Sequence, residues 1–188
     1  MGPDQVIVLT GPIGSGKSYV VEAFRRRGWQ AIDADAVGHD VLADSDVVAT
    51  IRKRWPAAVS GSTVNRARLA SLVFTEVDQL NQLELLTHPH IRHKISGWIA
   101  KAAGPKVIEV SVPGAIAKEW GPRIVVDAPR SVRHARLIRR GMSDAEITLR
   151  MKRQPERPVW LALANIVIDN ELDGGVAVPH LIDYFEAS

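Results

Sequence analysis

The chain contains no cysteine. That excludes a disulfide framework, a zinc–thiolate site and a cysteine nucleophile, and it fits a reducing compartment such as the cytoplasm. No apolar run approaches the length that a membrane span requires. The first apolar strand begins at Val6, so no signal peptide is expected. Long repeats, low-complexity tracts and separating linkers are also lacking, so a single domain is expected over residues 1–188. What remains is ordinary globular material, with 46% hydrophobic and 24% charged residues. A chain of 188 residues can bury a sizeable α/β core. The net charge of +3 and pI of 9.4 suit a polyanionic small molecule, and equally a weak nucleic-acid contact.

One stretch carries most of the chemical information. Gly11-Pro12-Ile13-Gly14-Ser15-Gly16-Lys17-Ser18 fits the phosphate-binding pattern G-x-x-x-x-G-K-[ST]. Val6-Ile7-Val8-Leu9 before it reads as a buried parallel strand. Tyr19 to Arg27 after it has apolar residues at helical spacing, and Gly28 is placed to close that helix. Glycines let the backbone approach phosphate oxygens closely. Unpaired N–H groups at the helix start attract anions. Gly11, Gly14, Ser15, Gly16, Lys17, Ser18 and Tyr19 are therefore the candidate nucleotide-binding residues. Lys17 is expected to reach the β- and γ-phosphates of ATP, and the Ser18 hydroxyl to ligate Mg²⁺.

Trp29 to Asp33 reads as a second strand, ending in Asp33-Ala34-Asp35. Ligands of open parallel sheets bind beyond the carboxyl ends of strands. Asp35 is thus a candidate base for a substrate hydroxyl, or a Mg²⁺ ligand through water; alternatively the two aspartates cap a helix from Ala36 to Leu42. Val47, Val48 and Ile51 share a helical face, and Ser60 to Thr63 is a turn. Asn65 can cap a helix carrying Leu69, Leu72, Val73 and Phe74. Another helix spans Asp78 to Leu86, is interrupted at His88-Pro89, and resumes from Ile91 to Ala103. Roughly sixty helical residues before the third strand exceed a simple crossover, which suggests a substrate-side subdomain. His88, His90 and His93 lack a neighbouring carboxylate at ligand spacing, so packing is expected of them rather than metal binding.

Lys106 to Val112 is the third strand, with Glu109 or Ser111 near its functional end, and Pro113-Gly114 breaks it. Arg123 to Asp127 is the fourth and Asn165 to Asn170 the fifth; Val176 to Phe185 is a closing helix. Ser131 to Arg140 is a helix dense in cations, stopped by Gly141. Ser143 and Glu146 form a capping box for the next helix, which Pro155 and Pro158 end. Such a cationic pair suits a lid closing over phosphates. Few aromatics lie among these arginines, which argues against base stacking on nucleic acid.

Together these segments resemble the dephospho-coenzyme A kinases. The resemblance rests on Leu9 to Ser18, Ile32-Asp33-Ala34-Asp35 with His39, and Leu83-Glu84 with His88-Pro89 and Ile91-Arg92. Arg150-Met151, Gln154-Pro155, Leu163-Ala164 and Val167 to Asn170 continue it nearly end to end. It implies an α/β P-loop NTPase fold, with a five-stranded parallel sheet flanked by helices, a helical substrate subdomain and a helical lid. The expected division is a core of 1–44, 104–130 and 159–188, an acceptor-side subdomain near 45–103 and a lid near 131–158. It implies ATP-dependent phosphorylation of a ribose 3′-hydroxyl, that of dephospho-coenzyme A giving coenzyme A. By position, Asp35 matches the family's proposed base, Arg140 and Arg150 its lid arginines, and His39, His88 and Arg92 fall among acceptor-side residues. Two stretches depart from the family's pattern. Tyr19 replaces a small threonine, and Pro113 to Ala117 replaces a run of proline, two leucines, an aliphatic or aromatic residue and glutamate. A relative acting on another nucleoside or nucleotide, and a P-loop switch touching nucleic acid, are the alternatives.

Overall fold

The computed structural model describes residues 5–74, 76–171 and 177–187. The chain falls into two compact units, Met1–Ile32 with Lys101–Ser188, and Asp33–Ala100. In chain order it begins β1 (Val6–Thr10), α1 (Lys17–Arg26), β2 (Gln30–Asp33), α2 (Ala34–Val41) and α3 (Ser45–Arg54). A small hairpin of β3 (Val59–Ser60) and β4 (Thr63–Val64) follows, then α4 (Arg66–Val73) and α5 (Val77–Lys101). The rest is β5 (Lys106–Val110), β6 (Arg123–Asp127), α6 (Arg130–Arg139), α7 (Asp144–Arg153), α8 (Arg157–Leu163), β7 (Ile166–Asp169) and α9 (Ala177–Ala187).

The large sheet has five parallel strands in the order β2-β5-β1-β6-β7. β1 is central because its apolar run can be covered on both faces. Ile7, Val8 and Leu9 are wholly buried. β1 pairs with β5 from Val6↔Lys106 to Thr10↔Val110 and with β6 from Val8↔Arg123 to Thr10↔Val125. The loop after β1 therefore emerges at the middle of the sheet's carboxyl edge. Val20, Val21 and Phe24 of α1 pack with Leu181, Ile182 and Phe185 of α9 in the core over this sheet. Gly28, at φ 86°, closes α1 as a Schellman turn. Its N–H donates to the Arg25 carbonyl (2.9 Å), the Trp29 N–H donates to that of Phe24 (3.1 Å), and the two rings meet edge to face at 4.8 Å.

The unit from Asp33 to Ala100 is helical apart from its hairpin. Asp33 caps α2 by accepting from the Asp35 N–H at 2.8 Å, and Asn65 caps α4 by accepting from the Arg68 N–H at 3.0 Å. Val47, Val48, Ile51, Leu69, Val73 and Ile95 are buried there. Phe74, expected on the apolar face of α4, is instead 46% exposed.

Several boundaries differ from those the sequence suggests. α5 runs unbroken through Pro89. Proline forfeits the bond to the carbonyl of residue i−4, here Leu85, whose side chain is 76% exposed. β5 stops at Val110, and a single 3₁₀ turn spans Pro113–Ala115. α8 lies where no element was expected, because Pro158 occupies its first turn, a position that needs no donor N–H. Val176, expected to open the closing helix, lies outside the described residues; α9 begins at Ala177.

Candidate active site

The loop from Gly11 to Ser18 is built around left-handed backbone. Gly11, Gly14 and Gly16 have φ of 144°, 78° and 100°. Side chains would also collide there. A Cβ on Gly11 would lie 2.3 Å from the Val126 carbonyl oxygen, and one on Gly16 would lie 2.1 Å from Asn170 Nδ2. The cradle is thus narrow by construction, and only glycine fits it. The Lys17 ammonium, 8% exposed, donates to the Gly11 carbonyl at 2.8 Å and to that of Pro12 at 3.4 Å. Among the described residues the N–H groups of Gly14, Gly16 and Ser18 meet no protein acceptor, and the start of α1 has no side-chain cap. The Ser15 hydroxyl is buried with no hydrogen-bond partner. Inward-facing donors and a buried cation at a helix N-terminus fit a bound polyphosphate.

Residues distant in sequence hold this loop from behind. The Ile13 N–H donates to Gln154 Oε1 at 2.8 Å. Arg133 donates through Nη1 to the Ile13 carbonyl at 3.3 Å and through Nε to that of Ala128 at 3.1 Å. Arg136, 8% exposed, donates through Nη1 to the Ser15 carbonyl at 3.2 Å and through Nη2 to that of Asn170 at 2.7 Å. Asn170 Nδ2 donates to the same Ser15 carbonyl at 2.8 Å. The Ile13 side chain joins Leu137, Met142, Ile147 and Met151 in a small core between α6 and α7. Burial lowers the Arg133 pKa, an effect that Asp127 opposes and Arg130 reinforces. Arg133 and Arg136 read in the sequence only as part of a cationic helix; their spacing of three, which puts them on one face, was the signal. The loop-holding roles of Gln154 and Asn170 had no local signal.

Glu109 stands opposite Leu9 in the register of β5 and β1, and the Ser18 hydroxyl donates to its carboxylate at 3.4 Å. Tyr19 is 51% exposed and lines a surface groove with Ala23, Val178, Pro179 and Ile182. Arg140 follows α6 as its C-cap and Arg150 lies on α7; both are exposed.

Within the helical unit, Asp35 sits in the first turn of α2 with His39 one turn on, and both are exposed. Glu84, His88 and Arg92 recur every four residues along α5, each half-buried. α2 and α5 are neighbours, since a Cβ on Gly38 would lie 3.4 Å from Ile91 Cδ1. Burial, then the Arg92 charge, lowers the His88 pKa; burial raises that of Glu84. No group of metal-ligating side chains occurs among the described residues.

A glycine cradle between a central parallel strand and a helix, with a buried lysine on its carbonyls and arginines behind it, defines a P-loop kinase. The family model for dephospho-CoA kinase matches residues 5–175. Dephospho-CoA kinase of Deinococcus radiodurans is 34% identical over 169 residues, covering 86% of this chain and 82% of that one. The protein of the same name from Xanthomonas oryzae pv. oryzae is 35% identical over 178 residues, covering 89% and 88%. The crystal structure of TT1252 from Thermus thermophilus superposes with a TM-score of 0.78 at 27% identity, covering 98% of this chain and 97% of that one. The chain belongs to the dephospho-CoA kinase family and is an ATP-dependent kinase.

Proposed function

We propose that the chain transfers the γ-phosphoryl group of ATP to the 3′-hydroxyl of dephospho-coenzyme A, giving coenzyme A. The observation that carries the donor half is the cradle with Lys17 turned into it and N–H donors left unmet. Family membership carries the acceptor half. Gly14 to Ser18 hold the phosphates, and Lys17 leaves the Gly11 and Pro12 carbonyls for them. Mg²⁺ would be held by the Ser18 hydroxyl, and when bound it neutralises charge on the phosphates. Asp35 orients the acceptor hydroxyl and takes its proton. Arg140 and Arg150, on a lid of about 131–158, stabilise charge on the transferring group. His39, His88 and Arg92 bind the acceptor from the helical unit.

The test incubates the protein with ATP, magnesium and dephospho-coenzyme A and reads the acceptor by mass. A gain of one phosphoryl group, lost when the acceptor lacks its 3′-hydroxyl, supports the reading. No gain on dephospho-coenzyme A alongside rapid gain on another nucleoside or nucleotide overturns the acceptor and leaves the kinase.

A further inference from the structure

Beside the loop lies an arginine with an unusual set of partners. β6 ends in Asp127, which is 6% exposed, and its carboxylate accepts from Arg157 Nε at 2.8 Å. The preceding residue, Val126, presses its carbonyl against Gly11, where a Cβ would lie 2.3 Å away. The Asp127 carbonyl accepts from the Asn170 N–H at 2.8 Å, and Asn170 in turn holds Ser15. Asp127 is thus braced against the first glycine of the loop while its side chain grips Arg157. Arg157 uses only Nε in that contact. Its terminal nitrogens meet no acceptor among the described residues, and its side chain is 65% exposed. The grip leaves the fork of the guanidinium, the part suited to a phosphate, available.

Two further facts point to an anion. Arg133 and Arg157 both interact with Asp127, and Arg130 lies close enough to Arg133 to repel it, so the carboxylate sits within a cluster of cations. A bound phosphate would meet such a cluster favourably through charged hydrogen bonds. The segment bearing Arg157 is also tied down on both sides. Gln154 bonds the Ile13 N–H at 2.8 Å, and Trp160, 1% exposed, donates through Nε1 to the Pro155 carbonyl at 3.0 Å. Together with the Nε contact to Asp127, these anchors restrict the guanidinium before any ligand arrives, which lowers the entropy cost of contact.

We propose that Arg157 is a phosphate-binding residue of the donor site. Its terminal N–H groups meet the terminal phosphate of a nucleoside triphosphate, and Asp127 is the positioning residue that aims them. The assignment rests on the loop binding such a triphosphate. Calorimetry with a non-hydrolysable ATP analogue, ADP and AMP, each with magnesium, tests it on Arg157→Gln, Arg157→Lys, Asp127→Asn and the double variant. Arg157→Gln should weaken the triphosphate analogue about ten- to a hundred-fold, the scale of a lost charged hydrogen bond, and leave AMP unchanged. Arg157→Lys should recover part of the loss. Asp127→Asn should weaken the analogue too, and the double variant should be no worse than Arg157→Gln alone. Unchanged analogue affinity with a lower melting temperature would make Arg157 only a pin for α8 and overturn the proposal. An equal loss for AMP would overturn the terminal-phosphate contact. A wild-type protein that binds no triphosphate would instead overturn the donor-site reading, and this assignment with it.

Discussion

The phosphate loop and the helical unit from Asp33 to Ala100 are held by opposite kinds of contact. The loop's Ile13 N–H and its Ile13 and Ser15 carbonyls are met by Gln154, Arg133, Arg136 and Asn170, all between 120 and 155 residues away. Arg136 and Asn170 are buried. Beyond its apolar core, the helical unit uses local caps at Asp33 and Asn65 and ion pairs near the surface, Lys94 with Asp44 at 2.9 Å and His90 with Asp46 at 3.7 Å. Exposed pairs contribute little, whereas a buried carbonyl that loses its donor is costly. A loop that must hold charged oxygens in fixed positions is over-determined. Substitutions there will read as lost ATP binding or lost fold, whereas polar substitutions on the surface of the helical unit should leave ATP affinity intact.

The sharpest break of that contrast is at Lys17. Lys17→Ala should lower turnover at least ~100-fold, the scale of one electrostatic contact to the reacting group, with the thermal transition kept. Near-normal turnover would deny the loop its role. Asp35→Asn comes next. If Asp35 acts on the acceptor hydroxyl, kcat should fall by about 10²–10⁴-fold while ATP affinity survives. A selective loss of ATP or magnesium affinity would move Asp35 to the metal side.

A smaller effect is expected at Arg136. Arg136→Lys keeps a charge but cannot reach the Ser15 and Asn170 carbonyls in two directions at once. Each carbonyl left unsatisfied costs roughly 1–3 kcal/mol. The melting temperature and ATP affinity should fall together; a change in neither would show that the loop holds its own shape. The smallest effect is the pH dependence contributed by His88. Its pKa in the folded state lies below the usual 6.5 because it is half-buried and feels the Arg92 charge. The unfolded chain then binds the proton more readily, so His88 contributes stability above that pH and loses it as the pH falls. His88→Gln should flatten this acid limb in melting curves taken with falling pH, and an unchanged slope would mean that the imidazole is hydrated.

The features legible in the sequence were those written in adjacent residues. The strand, glycine loop and helix around Lys17, the stops at Gly28 and Gly141, and the Ser143–Glu146 box are local patterns, and the box forms as read. What was hidden depends on surroundings. Pro89 reads as a break, but a helix tolerates it where the orphaned carbonyl can face water. Pro158 reads as an ending, yet it opens α8. β3 and β4, two residues each, are too short for any periodicity to show. The spacing of Arg133 and Arg136 puts them on one helical face, but with Gln154 and Asn170 they grip the loop only after the chain has folded, so the sequence does not show what that face holds. Asp33 and Asp35 were separable only by geometry, since the structure makes Asp33 the cap.

The central claim is that a tightly braced donor loop serves a kinase of dephospho-coenzyme A. The most direct measurement is a competition in one vessel, with ATP and magnesium, between dephospho-coenzyme A and a panel of nucleosides and nucleotides. The account predicts that dephospho-coenzyme A is consumed first, with kcat/KM above ~10⁴ M⁻¹s⁻¹, the range of ordinary enzymes. Preferential phosphorylation of a panel nucleoside, with dephospho-coenzyme A left intact, would contradict it.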